Sequence, residues 1–175
     1  MLLVREVYSS NMDNRNNNSR QGMANRQQRE SVDGLIEKVL EIRRVSRKTV
    51  GGNHATFSTL IAVGDGKGMV GLGMANAGEV PQAIAKAAKQ ARKHILRIKL
   101  EGTSIPYDIL IKNNAAKILL KPAPKGTGLK VGGVIRPIME LVGVKDLSGK
   151  IYGSHNKINL AYAVYQALLQ FKNRK

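Results

Sequence analysis

The chain has 175 residues, enough for one domain of ordinary size or two small ones packed together. Its 29 Lys and Arg against 12 Asp and Glu leave a formal charge of +17, which points first to nucleic acid as a partner and second to an anionic membrane surface. The lack of cysteine excludes disulfides and thiolate zinc sites, and His54, His94 and His155 stand too far apart for metal-ligand spacing, so no cofactor or metal is expected.

The start, Met1 to Arg5, lacks the long apolar centre of a secretory signal, and no apolar run is long enough to span a bilayer. Arginines near the start suit an organellar transit peptide, but Glu6 and Asp13 oppose that reading. Ser9 to Glu30 is built from Asn, Gln, Arg and Ser, with too little apolar content to offset the entropy of ordering. Residues 1–32 are therefore expected to be a disordered tail. A sharper reading is an arm that orders on RNA through Arg15, Arg20, Arg26 and Arg29.

Leu35 to Val50 reads as a long strand that enters a Gly51-Gly52-Asn53 turn and returns as Thr56 to Val63. Asp65-Gly66 signals a tight turn, and Met69 to Met74 a third strand. Alternation there sets Gly71 and Gly73 on one face and Val70, Leu72 and Met74 on the other. The bare glycine face allows another backbone to approach closely. From Glu79 a helix is expected, with Pro81 in its first turn. At about 100° per residue, Val80, Ile84, Ala87, Ala88, Ala91, Ile95 and Ile98 fall on one side. Lys86, Lys89, Lys93 and Arg97 make a stripe on the other. These elements form a β-β-β-α unit over residues 33–99.

A second unit covers residues 100–175. Tyr107 to Ile111 and Ala116 to Leu120 suit paired strands, and Lys121-Pro122-Ala123-Pro124 forces an extended stop. A glycine-rich loop from Lys125 to Gly133 precedes a short helix, Val134 to Val142. A strand over Asp146 to Tyr152 follows, and Asn156 suits the cap of a last helix ending near Phe171. The fold class is α+β, with β-β-α-β-α order in this two-layer half.

Gly66-x-Gly68-x-x-Gly71 matches the spacing of a dinucleotide fingerprint, but that chemistry needs a helix opening in the loop, and here a strand follows. Gly126-Thr127-Gly128 and Gly132-Gly133, beside Lys125, Lys130 and Arg136, are a better phosphate cradle, and simple loop geometry is the plainer reading. No acid between Ile109 and Met139 could hold magnesium or serve as a base. The helix stripe departs from an ordinary solvated face, because six Lys or Arg between Val80 and Leu100 have no acid among them. Arg43, Arg44, Arg47 and Lys48, with Gly51, Gly52, Asn53 and His54, form a second basic patch at the hairpin turn. Charges of that kind also protect an edge strand from aggregation. No carboxylate pair, nucleophile elbow or His base assembles into a catalytic set, so no enzyme is expected.

At Arg44-Val45-Ser46, Gly51-Gly52, Val63-Gly64-Asp65-Gly66, Val70-Gly71-Leu72-Gly73 and Glu79-Val80-Pro81-Gln82-Ala83-Ile84 the chain resembles the small-subunit ribosomal protein five family, in its bacterial or organellar form. The likeness continues through Lys121-Pro122-Ala123, Gly126-Thr127-Gly128, Gly132-Gly133, Arg136, Tyr152-Gly153-Ser154 and Asn156. The resemblance implies a double-stranded-RNA-binding-like first half and a second half similar to certain small-molecule kinases. It implies 16S-type rRNA as partner, contacts with neighbouring proteins four and eight, support of decoding accuracy, and a place near the mRNA entry path. On that basis Lys121, Lys125, Lys130, Tyr152, Ser154, Asn156 and Lys157 join the expected rRNA-binding set, and Gly128 and Arg136 the contact with protein four. The turn matching Ser46 to Gly52 is associated with spectinomycin response. Two segments differ from the family pattern: Val50-Gly51-Gly52-Asn53 stands for Lys-Gly-Gly-Arg, and Ala75-Asn76-Ala77 for Gly-Lys-Ala.

The expected role is thus a non-enzymatic protein of the cytoplasmic small ribosomal subunit, binding rRNA through phosphates and shape with no membrane contact. Its rivals are a free double-stranded-RNA regulator and a kinase-like ATP-binding protein using the Gly126–Gly133 loop.

Overall fold

The computed structural model describes residues 28–30, 34–98, 100 and 102–173. The expectations for the rest of the tail, including its arginine side chains, lie outside the described residues.

Two sheets make the frame. The first is antiparallel throughout, with spatial order β1 (Gln28–Glu30), β2 (Ile36–Thr49), β3 (Gly52–Gly64), β4 (Met69–Ala77) and β5 (Ile95–Arg97). Helix α1 (Val80–Lys93) joins β4 to β5. The second sheet runs β6 (Ile109–Asn113), β7 (Ala116–Pro122), β9 (Leu147–Gly153), β8 (Leu129–Lys130), with β8 parallel to β9. Helices α2 (Ile135–Val142) and α3 (Lys157–Asn173) cover it. The architecture is α+β: the first unit runs β-β-β-β-α-β and the second β-β-β-α-β-α, so β1, β5 and β8 are added to the order expected from the sequence.

Three boundaries differ from the sequence reading. Gln28–Glu30, read with the tail, pairs with residues 36–38, because the long edge of β2 offers main-chain groups to any neighbouring segment. The helix stops at Lys93, and Ile95–Arg97 turns back as β5 against Met69–Gly71. Ile95 and Ile98 fit the apolar side of a helical wheel equally well, so angle alone could not end the helix there. The edge of β4 needed partners, and β5 supplies them. The hairpin reversal also falls earlier than read: Thr49 pairs with Gly52, leaving Val50 and Gly51 at the apex.

Each face of the first sheet is buried by a different body. Ile61, Val63 and Ala75 face α1 through Ala87, Ala88 and Ala91. A Cβ at Gly71 would overlap the carbonyl oxygen of Ala91, and one at Gly73 that of Ala87. The backbone that meets the bare glycine face is therefore the helix that follows it in sequence. Leu60, Ala62, Val70 and Leu72 face the other way, into a core shared with Ile138, Leu141, Val164 and Leu168 of α2 and α3. One continuous core thus serves both units.

The units also exchange backbone hydrogen bonds. The amides of Gly66 and Gly68 donate to the carbonyls of Leu141 and Val142 at 2.9 and 2.8 Å, and the Tyr165 hydroxyl donates to His94 O at 2.9 Å. Helix ends leave such carbonyls without intrahelical partners, and here the opposite unit satisfies them.

Candidate nucleic-acid interface

From Phe57 toward Gly52, β3 keeps β2 on one edge but has no described strand on the other, because β4 ends at Ala77 opposite Phe57. The β2–β3 ribbon therefore leaves the body, and Ile42 through His54 are exposed. A bulge makes this ribbon two-sided. Register passes from Val39–Ile61 to Glu41–Leu60, so Leu40 is the extra residue and the alternation beyond it is reset. Glu41, Arg43 and Arg47 then face the side of the second unit. Arg44 and Lys48 face the side of α1.

The described carboxylates sort the cations. Arg43 Nε lies 2.9 Å from Glu41 Oε2, and its Nη2 donates to Asn156 Oδ1 at 3.2 Å. Lys157 Nζ is 3.7 Å from Glu41 Oε1. Arg92 pairs with Glu37 at 2.9 Å. Lys38 and Arg136 share Glu140 at 2.5 and 3.0 Å. Burial alone would push the Glu140 carboxyl up, but hydrogen bonds and charge from Lys38 and Arg136 hold it below the usual carboxylate range. These pairs tie β2 to α1, α2 and α3. Arg44, Arg47, Lys48, Lys86, Lys89 and Lys93 are exposed and have no ion-pair partner among the described residues. These carboxylates brace the frame, and the ribbon and α1 are among the surfaces left with cations unpaired among the described residues.

One candidate, Arg97, takes another place than the sequence suggested, and Asn156 takes the capping place expected of it. Arg97 sits on β5, with its guanidinium 3.7 Å from Met69 Sδ, and does not extend the helical stripe. Asn156 is the cap of α3, its Oδ1 accepting the Ile158 amide at 3.2 Å, while Ser154 Oγ accepts the Asn156 amide at 3.2 Å. Asn53 and His54 are exposed opposite Lys48 and Arg47. Lys121 and Lys130 flank Ser148 on the outer face of the second sheet, Tyr152 lies opposite Lys117, and Lys125 is exposed in its loop.

The glycine loop is not an open phosphate cradle. Asp146 Oδ1 accepts the amides of Gly126 and Gly128, each at 3.0 Å. The Gly128 amide, then the Thr103 hydroxyl and the amides of Gly126 and Thr127, hold the carboxyl below its ordinary value against the opposing effect of burial. An internal anion thus fills the concavity that the glycines create. Asp65 does the same at the first cluster, accepting the amides of Lys67 and Met69 at 2.7 and 2.9 Å. Neither turn offers its amides to a pyrophosphate.

The sequence reading assigns no role to Lys112, Lys117 or Lys150, which project from the same outer face as Tyr152. Strand alternation is the signal that places them. Among the described residues no helix is long and apolar enough to cross a membrane, and no cluster of His, Asp and Glu could hold a metal ion.

Comparison with known proteins covers both units. Residues 35–99 match the family model described as the N-terminal domain of ribosomal protein S5, and residues 111–175 match its C-terminal domain. Among similar proteins, the small ribosomal subunit protein uS5 of Chloroflexus aurantiacus is 45% identical over 134 residues, 77% of this chain and 75% of its own. That of Persephonella marina is 49% identical over 140 residues, 79% of this chain and 72% of its own. That of Protochlamydia amoebophila is 44% identical over 150 residues, 85% and 90% of the two chains.

Proposed function

This chain belongs to the ribosomal protein S5 family of small-subunit proteins, and from that membership we propose that it is a non-enzymatic, rRNA-binding constituent of the small ribosomal subunit. The observation that carries the reading is the sorting of charge: Glu37, Glu41, Glu140 and Asp146 are engaged within the fold, while Arg44, Arg47, Lys48, Lys86, Lys89 and Lys93 stand exposed with no ion-pair partner among the described residues. Arg44 and Lys48 lie on the α1 side of the first sheet, so ribbon and helix offer one basic side to a duplex. A-form RNA hides its base edges in a deep groove, so phosphates and 2′-hydroxyls are what such a surface meets. The partner is 16S-type rRNA, with residues 33–99 and 100–175 acting as two RNA-facing units and residues 1–32 as an extension.

On the same reading, Arg136 and the loop at Gly128 meet protein four, protein eight is a further neighbour, and the chain lies near the mRNA entry path and supports decoding accuracy in the cytoplasm. Support for the protein contact comes from the fixed shape of that loop, held from within by Asp146, and from the exposed Arg136 guanidinium. The test is co-sedimentation with small subunits. Wild-type chain is expected in the subunit fraction, and the triple variant Lys86→Glu, Lys89→Glu, Lys93→Glu is expected to be largely excluded. Normal incorporation of the triple variant would show that the stripe is merely solvated.

A further inference from the structure

The second sheet presents a face that the charge sorting does not explain. Ile109, Ile111, Ile118, Leu120 and Leu147 point inward to α2 and α3. The alternate positions point outward, where nothing among the described residues covers them. Leu110 is 54% exposed and Tyr152 is 45% exposed. In the ladder Leu110 stands opposite Leu119, and Leu119 opposite Lys150. One row along, Lys112 stands opposite Lys117, and Lys117 opposite Tyr152. At the other end Lys121 and Lys130 lie either side of Ser148.

Two physical points narrow the occupant. First, none of the four strands contains an Asp or Glu, and Asp108 stops just short of β6. Lysines directly opposed across a ladder, as Lys112 and Lys117 are, oppose sheet formation unless an anion lies between or above them. Second, the centre of the face is apolar, made by Leu110, the half-buried Leu119 and Tyr152. An RNA duplex could meet the lysines, but its bases are stacked inside and would leave that centre uncovered. A single strand satisfies both parts, with phosphates over the lysines and an unstacked base against an aromatic ring. Same-face residues two apart on a strand lie roughly 7 Å from each other, so Lys150 and Tyr152 can take adjacent parts of one extended strand.

We propose that the open face of the second sheet binds a segment of single-stranded RNA, one base stacking on Tyr152 and neighbouring phosphates lying along Lys117 and Lys150. This rests on the RNA-binding reading above and adds a second mode to it, carried by the unit opposite α1.

The test is fluorescence anisotropy on the full chain with two probes, a single-stranded oligouridylate of about a dozen nucleotides and a perfect RNA duplex. All substituted side chains are exposed, and circular dichroism checks the fold of each variant. Tyr152→Ala is expected to weaken oligouridylate binding about tenfold, while Tyr152→Phe, which keeps the ring, stays close to wild type. The pair Lys117→Glu, Lys150→Glu is expected to weaken it further and by more than it weakens duplex binding, and duplex affinity should stay within about twofold in both Tyr152 variants. Wild-type affinity of Tyr152→Ala for the oligouridylate overturns the proposal, as does equal loss on both probes. Wild-type chain that binds duplex but not oligouridylate overturns it alone, whereas failure on both probes strikes the RNA-binding reading itself. Sheet variants that keep both affinities yet drop out of small subunits assign this face to a protein neighbour, and the proposal falls.

Discussion

The amide of Gly66 donates to the carbonyl of Leu141 across 2.9 Å, so a turn in the first sheet terminates a helix that covers the second. Gly68 repeats the contact on Val142 at 2.8 Å, and Gly143 leaves α2 with φ of 95°. A Cβ at Gly64 would overlap Leu141 O, and one at Gly143 would overlap Gly66 O. In the pattern Gly-x-Gly-x-x-Gly, which on spacing alone suits a dinucleotide, the first two glycines thus join the two units of one chain, and the third admits α1.

Substitution at this contact should destabilise the whole molecule. Gly143→Ala combines a left-handed backbone with a clash on Gly66 and is expected to cost about 2–3 kcal/mol. Gly51→Ala, with open space around its Cβ, should be close to neutral. Urea denaturation should give a lower midpoint for the first variant and a single transition for both, because the units share one core.

Asp146 should make stability depend on acidity. Its carboxyl is held below the ordinary aspartate range in the folded chain, chiefly by the Gly128 amide. The folded state therefore binds this proton less readily than the unfolded state does. The contribution is complete above the unfolded pKa and is lost as pH falls through the folded one. Wild-type urea midpoints should drop in that acid window, and Asp146→Asn should be less stable at neutral pH and show a flatter acid dependence. A wild-type and variant difference that does not narrow on acidification would show that the carboxylate does not hold the loop.

Arg43 and Arg47 lie on the same face of the ribbon, two pairs apart, yet should behave differently. Arg43 is tied to Glu41 and to the cap of α3, so Arg43→Ala should cost about 1 kcal/mol of folding stability. Arg47 has no such partner among the described residues, so Arg47→Ala should leave the melting temperature unchanged and weaken RNA binding. Differential scanning fluorimetry beside binding to 16S-type rRNA separates the two.

The α1 stripe should be visible in salt dependence. Each lysine that meets a phosphate contributes about one unit to the slope of log affinity against log salt. The triple variant at Lys86, Lys89 and Lys93 should flatten that slope by about three if all three make contact. An unchanged slope would place the phosphates elsewhere.

Much of this was readable from residue order. Alternation and glycine turns located β2, β3, β4, β6, β7 and β9, though not the short β1, β5 and β8, and the bare face at Gly71 and Gly73 foretold a close backbone neighbour. The end of α1 was not readable, because Ile95 and Ile98 satisfy helical and strand burial alike and only the free edge of β4 decides between them. Nor was the closure of the Gly126–Gly128 loop by Asp146, since such a contact has no local spacing. The division of the ribbon arginines depends on the bulge at Leu40, which sends Arg43 toward Glu41 and Asn156. A one-residue irregularity of that kind leaves no periodic trace. The basic surfaces were legible as composition, but their release from internal pairing needed the positions of the carboxylates.

The shared core also sets an order of events during synthesis. Leu60, Ala62, Val70 and Leu72 leave the peptide exit before α2 and α3 exist, so a nascent chain of the first half displays an apolar sheet face while its basic ribbon is already complete. Premature capture by RNA at that stage would trap an unfinished body, and self-association through the bare sheet is the competing hazard. The apolar face is covered only when Leu160 through Phe171 have emerged. Release of the last helix is therefore the step that makes the newborn protein fit for assembly.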